Sequence, residues 1–259
     1  MEKKANIDDL VWLMQKLRSD EGCPWDKKQT PQSLTTYIIE EAYELVEAIN
    51  QGEPEKILEE LGDLLFQIVF QAQIFSEQKK FDLYDVIDRI YQKMIYRHPH
   101  VFGDKTITEP EEVKKQWVEL KRKSKQGASV LGDVPKSLPA LLRARRITDN
   151  ASQVGFDWEN TSQVLAKVEE EFKELKSAIE KSEQEKIEHE LGDLLFALVN
   201  LSRFLKVNPE DALKKATERF EKRFAYIEEE AKKQGKELKD MTLKEMDELW
   251  EQAKQKGIA

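Results

Sequence analysis

Glu60 and Asp63 stand three residues apart within Glu60-Leu-Gly-Asp-Leu-Leu-Phe66, an otherwise apolar run, and the same seven residues return as Glu190 to Phe196, displaced by 130 residues. Charge beside a core is costly without a partner, so a duplicated acidic pair points to a ligand. A second acidic group precedes each copy: Glu40-Glu41-Ala-Tyr-Glu44 and Glu170-Glu171-Phe-Lys-Glu174. On a helix, Ile38, Ala42, Leu45 and Ile49 make an apolar stripe about 60° wide. Glu41 and Glu44 lie on its shoulder, with Glu40 turned further toward solvent. Ile57, Leu61, Leu64 and Ile68 make the stripe of the next helix, with Glu60 and Asp63 on the matching shoulder. An antiparallel hairpin therefore brings Glu41, Glu44, Glu60 and Asp63 together, and its second copy gathers Glu171, Glu174, Glu190 and Asp193.

Four carboxylates in one place raise one another's pKa values unless a cation shares them. Oxygen ligands alone suit Mg²⁺, with Mn²⁺ as the alternative. Mg²⁺ keeps waters and bridges to substrate phosphates, so the expected chemistry is attack by a metal-activated water on a phosphorylated substrate. Glu41 and Glu171 are best placed to orient that water, although spacing does not divide general base from metal ligand. Gly62 and Gly192 cost about 1 kcal/mol each relative to Ala inside a helix, which suggests a close approach by the site or another helix, or a packing role.

Cations and aromatics recur too. Lys93 and Arg97 stand four apart, as do Arg219 and Arg223, a spacing that presents two positive heads on one face to phosphate oxygens. Trp117 with Lys121 is matched by Trp250 with Lys254, each a ring that can stack on a base and an ammonium that can hold a phosphate. Lys222 and Lys256 add cations in the second copy only. His98 and His100 flank Pro99, lack counterparts, and read as turn structure.

These residues need helices to aim them. Helical periodicity runs over 7–18, 54–76, 84–96, 141–150, 161–181, 184–206 and 209–234. Thr30-Pro31 reads as the start of a further helix reaching Gln51, closed by Gly52. Thr108 with Glu111, and Thr242 with Glu245, read as capping boxes opening helices over 108–122 and 242–256. No stretch alternates with period two. The expectation is an all-α chain of two tandem helical domains, 1–122 and 140–259, joined by the Gly- and Pro-bearing segment 123–139.

The 259 residues carry 51 acidic and 42 basic side chains, a net charge of −9 that disfavours nucleic-acid polymers and anionic membranes as partners. The lone Cys23 excludes an internal disulfide, the amino terminus has no apolar signal core, and no apolar run spans a bilayer; a soluble, cytoplasmic protein is expected.

The assembled motifs resemble the MazG family of nucleoside triphosphate pyrophosphohydrolases in its two-domain bacterial form. The resemblance lies in Glu-Glu-x-x-Glu followed by Glu-x-x-Asp in both copies, with Gly22-Cys-Pro-Trp-Asp26, Arg97-His-Pro-His-Val-Phe102, Val154-Gly-Phe-Asp-Trp158 and Arg219-Phe-Glu-Lys-Arg-Phe224 in support. It implies an all-α fold, Mg²⁺ dependence, a homodimer, and hydrolysis of NTP to NMP and pyrophosphate in nucleotide-pool housekeeping. It also implies Glu171, Glu174, Glu190 and Asp193 as metal ligands, and Arg219, Arg223, Trp250 and Lys254 as nucleotide contacts. Glu41, Glu44, Glu60 and Asp63, with Lys93, Arg97, Trp117 and Lys121, match the same motif in the first copy. Two other classes suit an acidic helical chain. A carboxylate-bridged redox or storage bundle would use Glu-x-x-His ligands, which the site carboxylates lack; a protein-binding scaffold leaves the carboxylates bordering apolar stripes unexplained.

Overall fold

A computed structural model describes residues 4–103, 107–123, 129–132 and 134–258, with the side chains of 111, 114, 115 and 121–123 outside the described set. Twelve α-helices and no strand occur among the described residues. None of these helices is long and apolar enough to cross a membrane. The chain divides into two compact units, Met1–Leu120 and Lys121–Ala259.

In the first unit α1 (Ile7–Arg18) opens on a capping box in which Asn6 and Asp9 bond each other's backbone. A short α2 (Pro24–Lys28) follows where the sequence suggests only a loop; Pro24 at its first position leaves no amide to satisfy. Thr30 and Ser33 exchange backbone-to-hydroxyl hydrogen bonds of 2.9 and 3.1 Å, but they close a turn and not the helix expected at Thr30. Regular helix begins at α3 (Thr35–Gln51), because the turn drives Leu34, 1% exposed, into the core. Gly52 ends α3 in the left-handed conformation at φ 70°. Pro54 then starts α4 (Pro54–Glu77), which packs against α3, α1 and α5 (Leu83–Arg97). Met14, Leu34, Val69, Phe70, Ala72, Ile74 and Leu83 form the core at the carboxyl-terminal half of α4. His98 closes α5 and caps a four-residue α6 (Pro99–Phe102); His98 thus sits in the break as read, whereas His100 lies within the short helix and not in a turn. The first unit ends within α7 (Pro110–Lys123), at Leu120, and the expected Thr108–Glu111 cap of that helix involves a side chain outside the described residues.

The second unit comprises α8 (Ala140–Ser152), α9 (Thr161–Lys181), α10 (Gln184–Phe204), α11 (Pro209–Lys233) and α12 (Leu243–Gln255). Leu131 precedes α8 in this unit, and its carbonyl accepts a hydrogen bond from the buried Asn150. A 3-10 turn at Leu238–Asp240, not foreseen from periodicity, leads into α12. The hairpin α9/α10 has the most extensive helix pairing, with α8 against both α10 and α11. Ile227, Ala231, Met241 and Leu249 form a core between α11 and α12.

Two expectations need correction. Ile49, Leu61 and Ile68 are exposed, whereas Ile38, Leu45, Ile57 and Leu64 are half-buried with Glu41 and Glu60. The inward face of the α3/α4 hairpin is thus rotated toward the acidic shoulder, because the helices meet along it. A Cβ on Gly62 or Gly192 would meet nothing within 4 Å, so no element of the described chain makes the close approach suggested for them.

Candidate active site

The amino-terminal half of α4 carries Glu60 and Asp63, and the middle of α3 carries Glu41 and Glu44. With the acidic shoulders facing each other, Glu41, Glu60 and Asp63 each place one oxygen so that all three lie within 4.8 Å of one another. Glu44 is exposed at the rim, and its charge is felt at both Glu41 and Glu60. Burial first, then the charges of Asp63, Glu44 and Glu60, push the Glu41 carboxyl above its ordinary range; a hydrogen bond from Gln67 partly offsets this. Burial, Glu44 and Asp63 push Glu60 the same way, against Lys56. Gln67 is buried, and its Oε1 has no partner among the described residues. Crowded carboxylates that resist ionisation beside a spare amide oxygen form a donor set suited to a hard divalent cation.

In the second unit Glu171, Glu174 and Glu190 converge within the same 4.8 Å. Glu171 is only 6% exposed. Asp193 groups instead with Glu190 and His189, whose Nδ1 lies 3.1 Å from Asp193 Oδ2. His189 was not singled out from the sequence, although it stands four residues before Asp193; the first copy has Glu59 there. Lys167 ion-pairs with Glu171 at 2.7 Å and with Glu170 at 2.9 Å. The two carboxylates drive its pKa upward.

The cations and rings form a second pattern. Arg97 lies over the Trp117 ring at 5.1 Å, and Arg223 lies over Trp250 at 5.5 Å. His98 meets Trp117 edge-on at 5.3 Å, and Phe220 meets Trp250 at 5.2 Å. Arg223 Nε donates to the Ile258 carbonyl at 2.9 Å. Each tryptophan thus holds an arginine in a cation–π pair; spacing had paired it with a lysine. Lys254 instead donates to Glu251 at 2.6 Å, and the Lys121 side chain lies outside the described residues. Lys93 and Arg219 are exposed. Lys256 caps the Tyr226 ring at 4.6 Å, while Lys222 makes an interaction of its own. Among the described residues no ion pair joins Lys93, Arg97, Arg219 or Arg223 to the carboxylates.

The placement of Trp250 depends on the start of α12. There the Thr242 hydroxyl and the Glu245 carboxylate cap each other's backbone, and Lys236 reaches Glu245 at 2.6 Å. Lys236 first, then Thr242, hold the Glu245 carboxyl down at about 2, against an ordinary 4.5. A depressed folded-state pKa contributes stability above the unfolded value and loses it as pH falls through the folded one. Glu245→Gln is therefore expected to unfold more readily than the parent above pH 4.5, with the gap closing toward pH 2. Urea unfolding followed by circular dichroism across that range measures it; a gap independent of pH would refute the ionic cap.

Helix hairpins that gather carboxylates into clusters able to hold a metal ion, repeated in two all-α units, define the class of this protein. The model of the MazG nucleotide pyrophosphohydrolase domain matches residues 29–102 and 159–227. The nucleoside triphosphate pyrophosphohydrolase/pyrophosphatase MazG of Thermotoga maritima is 50% identical over 256 residues, 97% of this chain and 98% of its own. The nucleoside triphosphate pyrophosphohydrolase of Escherichia coli K12 is 43% identical over 258 residues, again 97% and 98%. A solved mazG-related protein from Thermotoga maritima aligns with 44% of this chain and 98% of its own at 28% identity and a TM-score of 0.39, and carries no part of the assignment. The chain belongs to the MazG family.

Proposed function

We propose that this chain hydrolyses nucleoside triphosphates to nucleoside monophosphates and pyrophosphate at its carboxylate clusters, with Mg²⁺ as cofactor and Mn²⁺ able to replace it. The observation that carries the reading is the convergence of carboxylates from two helices within 4.8 Å, once in each unit. The names of the relatives support the substrate class. Glu41, Glu44, Glu60 and Asp63 would hold the cation in one unit, and Glu171, Glu174, Glu190 and Asp193 in the other. When bound, the cation supplies Lewis-acid polarisation of phosphate oxygens and of water.

The remaining work falls to the side chains. Glu41 and Glu171, the most enclosed carboxylates on α3 and α9, orient the water for in-line attack and accept its proton. Arg97 and Arg223, braced on their tryptophans, meet the charge that develops on the phosphate oxygens, and Lys93, Arg219, Lys121 and Lys254 would add further positive charge for the nucleotide. Trp117 and Trp250 offer ring edges and faces to the base, a contact that discriminates bases weakly.

We place the tandem domains at 1–122 and 140–259 with 123–139 between them, although Leu131 of that stretch already bonds within the second unit. The active form is a homodimer: α3 and α4 leave Ile39, Tyr43, Val46, Leu58, Leu61 and Leu65 exposed, and α9 and α10 leave a matching set including Phe172, Leu191 and Leu195. Exposed apolar side chains concentrated on two paired helices suit an interface. A cytoplasmic role in clearing the nucleotide pool accords with the single cysteine.

Incubation with each standard NTP and dNTP, with Mg²⁺ or with chelator, followed by product identification, tests the reading. Monophosphate plus pyrophosphate, formed only with the metal, is the expected result. Diphosphate plus orthophosphate would make the chain a phosphatase and overturn it.

A further inference from the structure

We propose that Lys167 is a resident counter-cation of the second carboxylate site, one that a divalent cation must displace from Glu171, so that the second site takes up its metal more weakly than the first. The inference rests on the carboxylate clusters being the metal sites of the proposed function.

The two copies surround the equivalent carboxylate differently. Glu41 and Glu171 correspond across the repeat, and so do the residues one helical turn before them, Tyr37 and Lys167. Tyr37 carries no charge, and its ring meets Trp25 edge-on at 6.0 Å. Glu41 has no ion-pair partner among the described residues, and the neutral Gln67 side chain of the facing helix only slightly offsets the burial and crowding that raise its pKa. The position equivalent to Gln67 is Ala197, buried and without a polar group. Glu171, more deeply enclosed than Glu41, takes its partner from its own helix instead: Lys167 at 2.7 Å, bridging to Glu170 at 2.9 Å.

An amide can stay bonded to one carboxylate oxygen while the other ligates a cation. An ammonium cannot remain beside the same carboxylate without meeting the divalent charge at close range. Cation uptake in the first unit therefore relieves repulsion, whereas in the second it must first break an ion pair. Lysine suits such an exchange: it is a point charge on a flexible stem, and Lys167 is 34% exposed, so its head can swing to Glu170 and solvent.

Mn²⁺ titrated calorimetrically into the full chain without nucleotide reads this directly. Glu190→Gln should remove the weaker class of binding and Glu60→Gln the stronger. If neither variant removes a class, the metal-site reading itself fails. In the Glu60→Gln background, Lys167→Met is expected to tighten the surviving class by about two- to fivefold, the scale of a partly exposed ion pair. Lys167→Arg, which keeps the charge, should leave it weak. Unchanged or weaker binding in Lys167→Met, with both classes otherwise assigned, would overturn the counter-cation role alone. The reciprocal transplant guards against a misfolded variant: Tyr37→Lys in the Glu190→Gln background should weaken the first site by a similar factor, and no change there would also count against the proposal.

Discussion

Glu190→Gln combined with Glu60→Gln is expected to abolish Mg²⁺-dependent pyrophosphate release. Each residue lies in the seam of its hairpin and contributes an oxygen to a cluster within 4.8 Å. Glu190 belongs to two such groupings, with Glu171 and Glu174 on one side and with His189 and Asp193 on the other. Glutamine keeps the shape and one carbonyl oxygen but removes the charge that offsets a divalent cation. Removing one preorganised electrostatic element costs about 10²–10³-fold in turnover, and ligand loss adds to that. The single variants separate the sites: Glu190→Gln leaves whatever the first unit contributes, and Glu60→Gln leaves the second. Steady-state pyrophosphate release at saturating Mg²⁺, with circular dichroism to verify folding, measures all three. Turnover surviving in the double variant would remove the carboxylate clusters as the active site.

Phe70→Ala should be the most damaging single change to the fold of the first unit. Phe70 is 1% exposed at the centre of the core between α1, α4 and α5. Phe66 meets it edge-on at 6.0 Å, and Arg18 lies over it at 5.5 Å while pairing with Glu77 at 2.7 Å. Truncation removes the ring from a small cluster with little material to collapse into the void, at a cost of about 3–5 kcal/mol. It also strands the buried Arg18 head above a cavity. Since α4 bears both this core and Glu60 with Asp63, unfolding of the unit dissolves the first carboxylate cluster as well. Urea unfolding should show a clearly lower midpoint at an unchanged slope for that transition. A loss under 1 kcal/mol would mean that the core repacks around the gap.

Local chemistry was written plainly in the sequence. The Thr242–Glu245 capping box is present as read, Gly52 takes the left-handed close of α3, and Pro54 and Pro209 start their helices, because each depends on residues within one turn. The acidic pairs at three-residue spacing, and their duplication, single out carboxylates that the hairpins bring within 4.8 Å of one another. Tertiary structure decided what those residues face. Periodicity placed Glu41 and Glu60 on the shoulder of an apolar stripe, but each hairpin helix carries apolar residues on both sides of that shoulder, and only the neighbouring helix selects the buried side. The helices meet along the acidic edge, leaving Ile49, Leu61 and Ile68 outside and drawing Gln67 inward. Leu34 likewise delays α3 by filling a core built from residues distant in the chain. The pairing of each arginine with a tryptophan from another helix follows the same logic. Residues one turn apart find their partners by helix geometry alone, whereas residues on different helices do so only through the long-range contacts that fix how those helices rotate against each other.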